Sequence, residues 1–405
     1  MLPFGFMKQH LLHTRLLIIG QGIAGSMLAY ALWRRGLTRP EDFMVIDAGD
    51  THAATRVSTG VINPFGFARL NYSAVAPEVG AAWEHYNRLE RMLQHHLGTH
   101  TRYAFAHPLL RLFTSPMEAG RWQERYRLPV LPHGSRRHNI CLTQGGGVVP
   151  NSGWIEAARL VRDIRRLLQQ RQQYIHADIP ASTLMTSLRQ ASGNIAELHS
   201  IRYSALILCS GVQHALATGN SLPDARLPYY PVGGEVMSLY LPAWPVELAV
   251  SRGITIQPSR THSGWIRVGA TYQRTPDTDL PNAEGIAWLR NQFDQLCIRM
   301  RSGMPDSTGR MYQQAVASAV FTSGIRPAAI DRQPYLGQMR QPLPQCPPVY
   351  IMNGLGSRGI ARAPVLAETL ANHILQKAPI PPAWQVQRVP LDQSSQTWEC
   401  SASAD

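Results

Sequence analysis

Leu16-Leu17-Ile18-Ile19-Gly20-Gln21-Gly22-Ile23-Ala24-Gly25 decides the fold of this chain. Four apolar residues suit a strand buried on both faces, and they run directly into G-x-G-x-x-G. An apolar helical pattern follows (Ile23, Met27, Leu28, Ala31, Leu32) and ends near Gly36. Phe43-Met44-Val45-Ile46 then reads as a second strand that delivers Asp47. This is the strand–turn–helix–strand–acid unit of a dinucleotide site. Gly20 permits the tight turn, Gly22 lets a pyrophosphate approach the backbone, and Gly25 lets helix and strand pack closely. Ile23 and Ala24 open the helix, whose N-terminus offers N–H groups and partial positive charge to phosphates. Asp47 is placed to accept from a ribose hydroxyl. The unit alone does not separate NAD from FAD.

Outward from this unit, parallel βα signals recur in the middle of the chain (150–211) and at its end (349–376). Trp154 to Gln173 reads as an amphipathic helix, Tyr174 to Ile179 and Ile201 to Cys209 as strands, and 363–376 as a last helix. Antiparallel patterns fall between: 102–114, 231–241 and 251–272. Further helices are expected over 81–97, 115–126 and 283–300. Gly145 to Pro150 reads as a crossing between lobes. The fold class is therefore α/β (α+β overall). A Rossmann-like cofactor domain is assembled from 15–80, 145–220 and 325–376. A mostly antiparallel substrate domain is inserted as 81–144 and 221–324, and 1–14 and 383–405 are expected to be loose termini. The first segment lacks the sustained apolar core of a signal peptide.

With 405 residues and 44% hydrophobic content, the chain supports two cores. No run is long enough to span a membrane. Five scattered cysteines without C-x-x-C, and fifteen histidines without H-x-x-x-H, give no metal site; free thiols fit a reducing, cytoplasmic setting. The net charge is +13, and all basic residues except Lys8 and Lys377 are arginines. The charge is dispersed. It favours anionic partners, acidic substrates or nucleic acid, without specifying which.

Five segments carry a family resemblance across residues 15–376. They are Leu17 to Gly25; Arg56-Val57-Ser58-Thr59-Gly60-Val61-Ile62-Asn63-Pro64; Leu206-Ile207-Leu208-Cys209-Ser210-Gly211; Gly324-Ile325-Arg326-Pro327 onward to Gly337; and Asn353-Gly354-Leu355-Gly356-Ser357-Arg358-Gly359-Ile360. In order and spacing the chain resembles the FAD-dependent D-amino-acid oxidase superfamily, which includes glycine oxidase, sarcosine oxidase and the oxidase half of a bifunctional tRNA wobble-uridine enzyme. The resemblance implies FAD, bound noncovalently because no cysteine stands where sarcosine oxidase tethers its flavin. Thr55 to Gly60 would press small residues against the cofactor, Ser210 and Gly211 would lie at a strand end beside it, and Gly354 to Gly359 would open a helix onto it. Ile179 matches a position whose backbone meets the adenine. Arg326 in G-x-R-P matches the arginine that binds the substrate carboxylate, Tyr272 a position lining the substrate cavity, and Arg358, Asn63 and Arg69 are weaker candidates near the flavin. The family's glycine oxidase carries a tyrosine where Thr255 stands, which disfavours free glycine.

The resemblance implies oxidation of the carbon–nitrogen bond of a small amine or amino acid by hydride transfer, with no side-chain catalytic base and with oxygen as acceptor. Two alternatives stay open. One is oxidation of a carboxymethylaminomethyl nucleoside in tRNA. The other is a D-amino-acid dehydrogenase that passes electrons to a quinone.

Overall fold

The computed structural model describes residues 12–389 except 67–70, 73–75, 138–139, 216–226, 243, 245–246, 275, 277, 301–305 and 341–343. Its centre is a six-stranded sheet in the order Tyr174–His176, Phe43–Asp47, Leu16–Ile19, Leu206–Leu208, Val349–Asn353, Tyr335–Gln338. The first five strands are parallel and the last is antiparallel. Alternation within one strand sorts its side chains into two layers. Leu16 and Ile18 join a helical layer of Ile23–Trp33, Ala76–Leu97, Ala157–Gln170 and Gly359–Gln376. Leu17 and Ile19 face the opposite cluster, under Ala181–Arg189 and the strands Ala196–Leu198 and Ile201–Tyr203. The helix after the glycine turn lies between the sheet and the other helices. Every one of its residues from Ile23 to Trp33 is buried, which explains why it is apolar on all sides.

A nine-stranded, mostly antiparallel sheet forms the second layer system. Its long strand Tyr229–Tyr240 pairs with Val320–Ala329, Trp265–Gly269 and Gln273–Arg274. Ile254–Pro258, Val250–Arg252, Leu109–Leu112, Gly146–Val149 and Val130–Leu131 continue it. Ala283–Met300 and Asp306–Ala317 contribute Leu289, Phe293, Tyr312 and Ala315 to its core.

Several expectations change. The helix read from Trp154 begins at Ala157, because Gly153–Ile155 is a strand between Val61–Ile62 and Ala104–Phe105. The strand read over Ile201 to Cys209 is two strands in different sheets, broken at Ser204-Ala205. The stretch Gly145 to Pro150 is mostly strand. Gly146–Val149 pairs with Leu109–Leu112, and Gly147 sits so close to the Trp122 ring that a Cβ would lie 2.3 Å from it. Helix Ala76–Leu97 packs Ala82, Tyr86, Leu89 and Leu93 into the core of the parallel sheet. Leu12–Thr14 pairs with Ile201–Tyr203, and Arg388 is ion-paired with Asp331 at 2.8 Å beside the buried Val386. Residues 1–11 and 390–405 lie outside the described residues.

Candidate active site

Parallel strands end together, and their carboxyl ends collect the loops that bind ligands at the point where connections leave in opposite directions. Here that point lies between Leu16–Ile19 and Leu206–Leu208. A solvent-open cleft of about 1030 Å³ occupies it. Gly20, Gly22, Ile23, Ala24, Asp47, Thr55, Ser58, Ser210, Gly211, Leu355, Gly356, Ser357 and Gly359 line it, so thirteen of the expected cofactor residues converge on one space.

The turn is built by exclusion of side chains. Gly20 has φ +98°, and a Cβ on it would meet Cys209 O at 2.5 Å. A Cβ on Gly25 would lie 1.9 Å from Gly20 O, so Gly25 supports the turn from beneath without facing the cleft. Gly22 caps the helix with no side-chain hydrogen bond, while Thr55 Oγ1 accepts from Ile23 N–H at 2.9 Å. The remaining first-turn N–H groups have no intrahelical acceptor, the usual anion-binding condition.

Asp47 is more committed than its sequence position indicates. Oδ2 accepts from Gln21 N–H at 2.8 Å; Oδ1 accepts from Gly49 N–H at 2.9 Å and from Arg165. A carboxylate has about four lone-pair sites. One on Oδ2 therefore stays open to a ribose hydroxyl. Arg56 does not line the cleft; it donates to Gly49 O at 2.6 Å and stands 3.9 Å from Asp47. Ser210 Oγ is buried with no partner at the cleft wall, and the space beside Gly211 is empty within 4 Å of a built Cβ. An orphaned donor, a glycine cradle and an uncapped helix start fit a dinucleotide, and they fit FAD in particular because the cleft continues past the nucleotide end to Ser357 and Arg326.

A second cleft, about 920 Å³, shares Ala54, Ser58, Arg326, Ser357 and Ile360 with the first. Thr59, Gly60, Thr255, Gly269 and Tyr272 also line it. Gly60 has φ +72°, and a Cβ there would lie 1.9 Å from Ile155 O. Arg326 stands on Val320–Ala329 opposite Val232. Its guanidinium lies flat against Gly234, where a Cβ would come within 2.3 Å of Nη2, and Nη1 donates to Gly233 O at 3.1 Å. Among the described residues no carboxylate forms an ion pair with it. Burial lowers its pKa, with Tyr272 and Glu235 opposing, yet a guanidinium stays charged throughout. Glu235 itself is spent on Thr271 and on Asn282 Nδ2 at 2.8 Å. Tyr272, 62% exposed, stands at the mouth.

Arg358 and Asn63 line a third cleft that adjoins the second through Val61, Thr255 and Ser357, and the other expected residues stand apart from the two main clefts. Arg358 turns back to donate to Asn63 O (2.7 Å) and Phe65 O (3.0 Å). Gly354, at φ +73°, shapes the strand end and is tied by its N–H to Asn353 Oδ1. Ile179 packs in the core beside Leu184, outside both clefts. Arg69 lies outside the described residues. Three residues passed unnoticed in the sequence: Gly234, Gln257 and Arg267. Gly233-Gly234 inside a long strand is itself a sign of close approach; the other two give no local signal.

Comparison with known proteins places this geometry. The bifunctional protein MnmC of tRNA 5-methylaminomethyl-2-thiouridine biosynthesis is 24% identical in Aeromonas hydrophila (88% of this chain, 55% of that protein) and 26% identical in Maricaulis maris (89% and 52%). The chain thus spans about half the length of the curated relatives it matches. Glycine oxidase from Geobacillus kaustophilus superposes with a TM-score of 0.69 at 18% identity, covering 95% of this chain and all of that one. Iminodiacetate oxidase from Chelativorans sp. BNC1 gives 0.64 at 20% identity, covering 94% and 98%. These two share the fold. No described helix is long and apolar enough to cross a membrane. The family model for FAD dependent oxidoreductases (DAO) matches residues 15–373, from the first strand of the parallel sheet to its last helix, and the chain belongs to that family as a FAD-dependent oxidoreductase.

Proposed function

We propose that this flavoenzyme oxidises the carbon–nitrogen bond of a small amine or amino acid that bears a carboxylate. The observation that carries the reading is Arg326, a half-buried guanidinium that no carboxylate among the described residues pairs with, at the junction of the two clefts. A planar fork of donors suits a substrate carboxylate through paired charge-assisted hydrogen bonds. Arg326, seated over Gly234, fixes one end of the substrate, Tyr272 covers the mouth, and the small residues Thr255 and Gly269 leave room for a substituent larger than that of glycine. Positioning removes the entropic part of the barrier, and the substrate's nitrogen lone pair forms the C=N bond as the adjacent carbon loses its hydride. FAD, when bound noncovalently in the cleft, would supply the hydride acceptor and the route for two electrons onward. Water then hydrolyses the imine. Oxygen as acceptor gives hydrogen peroxide.

A peroxide-coupled screen of amino acids and N-alkyl amino acids tests the reading. Turnover should appear only with carboxylate-bearing amines; turnover confined to uncharged amines would overturn it. Dye reduction without peroxide would point instead to a dehydrogenase serving a quinone. A second reading, oxidation of a carboxymethylaminomethyl nucleoside in tRNA, is favoured by the curated relatives and the +13 charge. Its signature is a salt-dependent tRNA gel shift, and no shift at low ionic strength removes it.

The same reading divides labour between a cofactor unit around the parallel sheet and a substrate unit around the antiparallel one. Helix Ala76–Leu97 then goes with the cofactor unit and Gly146–Val149 with the substrate unit, on the packing above. Gly234→Ala separates the two units functionally. The methyl group would occupy the place of the Arg326 guanidinium. FAD content should be unchanged, while KM for the carboxylate substrate rises about tenfold or more, the loss of one charge-assisted hydrogen bond.

A further inference from the structure

Behind the wall shared by the two clefts, two side chains of the antiparallel sheet cap three successive carbonyls where the helical turn Ala54–Val57 runs into the rest of loop 55–60. Arg267 Nη2 donates to Val57 O at 2.5 Å and Nη1 to Ser58 O at 2.6 Å. Gln257 is the register partner of Arg267 on the neighbouring strand. With its amide set by its hydrogen-bond neighbours, its nitrogen donates to Thr59 O and its oxygen accepts from Trp154 Nε1 at 3.1 Å.

This use of an arginine is uncommon. Burial lowers the Arg267 pKa, opposed by Glu156, but no carboxylate among the described residues pairs with it. Such a charge is costly to keep inside a protein unless dipoles answer it. Two carbonyls do so here. The dipoles are directional, so the loop is fixed in orientation as well as position. Across a trans peptide, C=O and N–H point opposite ways. Turning the carbonyls of Ser58 and Thr59 to the sheet therefore turns the N–H groups of Thr59 and Gly60 away from it. The loop bearing these groups also supplies Thr55 and Ser58 to the nucleotide cleft and Ser58, Thr59 and Gly60 to the second one. On the clamp's own strands, Thr255 and Gly269 pair with each other two positions along and line the second cleft too.

We propose that Arg267 and Gln257 form a carbonyl clamp that positions loop 55–60 for FAD, making cofactor binding depend on the substrate-side sheet. Both are positioning residues. The clamp couples the units: a disturbance of strands 254–258 or 265–269 reaches the cofactor through three carbonyls.

The test is FAD release from the holoenzyme on dilution, followed by the rise in flavin fluorescence, for Arg267→Met, Arg267→Lys and Gln257→Leu. Arg267→Met should weaken FAD retention by roughly 10- to 100-fold, a fraction of the effect of two hydrogen bonds from a charged donor, because they hold the cofactor only through the loop and Gln257 stays. Arg267→Lys should fall between, since an ammonium lacks the planar fork. Gln257→Leu should weaken it severalfold. The visible absorption bands of the flavin still bound should shift in all three, which a general loss of stability would not cause. Where Arg267→Met fails to fold, Gln257→Leu decides by the same measures. FAD retention within twofold of the parent and unshifted bands in the folded variants would overturn the proposal. Because FAD release is read without substrate, its outcome is independent of whether Arg326 binds a carboxylate.

Discussion

Replacing Arg326 with alanine lowers kcat/KM for a carboxylate-bearing amine by about 10²- to 10³-fold, mostly through KM. The estimate follows from the contacts removed. A bidentate guanidinium–carboxylate pair contributes two charge-assisted hydrogen bonds, together about 3–4 kcal/mol for a half-buried guanidinium. The loss falls mainly on binding because the carboxylate carries the same charge in the ground state and the transition state. Part falls on kcat, since a substrate held at one end less firmly spends less time in a reactive pose. Lysine at 326 should recover part of the binding as a point charge without restoring orientation. FAD content should change little, because Arg326 lines only the far end of the cofactor cleft, while the glycine turn, Asp47 and Thr55 at the other end keep their contacts. The comparison substrate is an amine of the same size without the carboxylate, whose poor kcat/KM should be unaffected. Equal losses on both substrates would sink the carboxylate assignment, because the arginine would then act on something common to them.

The cofactor half of this site was legible in the sequence because it is local. Gly25 packs on Gly20 O within six residues of sequence, which hold most of the turn, and only Cys209 behind Gly20 and Thr55 beside Gly22 arrive from elsewhere. Asp47 was placed correctly on its strand end, but its engagement was not visible: Arg165 arrives from a helix over a hundred residues away, and only the folded chain shows it on Oδ1. Non-local partners explain the structural misses as well. Trp154-Ile155 continues a helical apolar period, yet these residues extend because strands on both sides pair with them. Ile201 to Cys209 is continuously apolar, and nothing in that run says that its halves belong to different sheets. Arg326 could be singled out among many arginines only through its G-x-R-P setting; what makes it available, the missing side chain at Gly234, lies on another strand. Arg267 had no such setting. A buried arginine that serves carbonyls is indistinguishable in sequence from one that faces water.

Alanine at Gly22 and alanine at Gly25 should abolish or weaken FAD binding for different reasons, and the difference tests how the turn works. At Gly25 the new methyl would lie 1.9 Å from Gly20 O, a backbone atom that has little freedom to withdraw. Gly20 is already at φ +98° with Cys209 O on its other side. The turn must therefore deform and the helix must lift from the strand. A cost above about 3 kcal/mol is expected for such overpacking against backbone. The melting temperature should fall even with FAD stripped from the protein. At Gly22, φ is −71°, which alanine adopts readily, and the only neighbour of a built Cβ is Thr55 Oγ1 at 3.3 Å. The stripped protein's melting temperature should fall by only about 2–4 °C, because glycine and alanine differ by about 1 kcal/mol as helix N-caps. The methyl would instead occupy the surface of the cleft beside the first-turn N–H groups, where a pyrophosphate approaches the backbone. FAD affinity should fall at least tenfold with the fold intact, the loss of one close charge-assisted contact. A Gly22→Ala protein that holds FAD as tightly as the parent would mean that the pyrophosphate does not rest on this turn. A Gly25→Ala protein of unchanged stability would mean that the close packing of helix on strand is not what the third glycine provides.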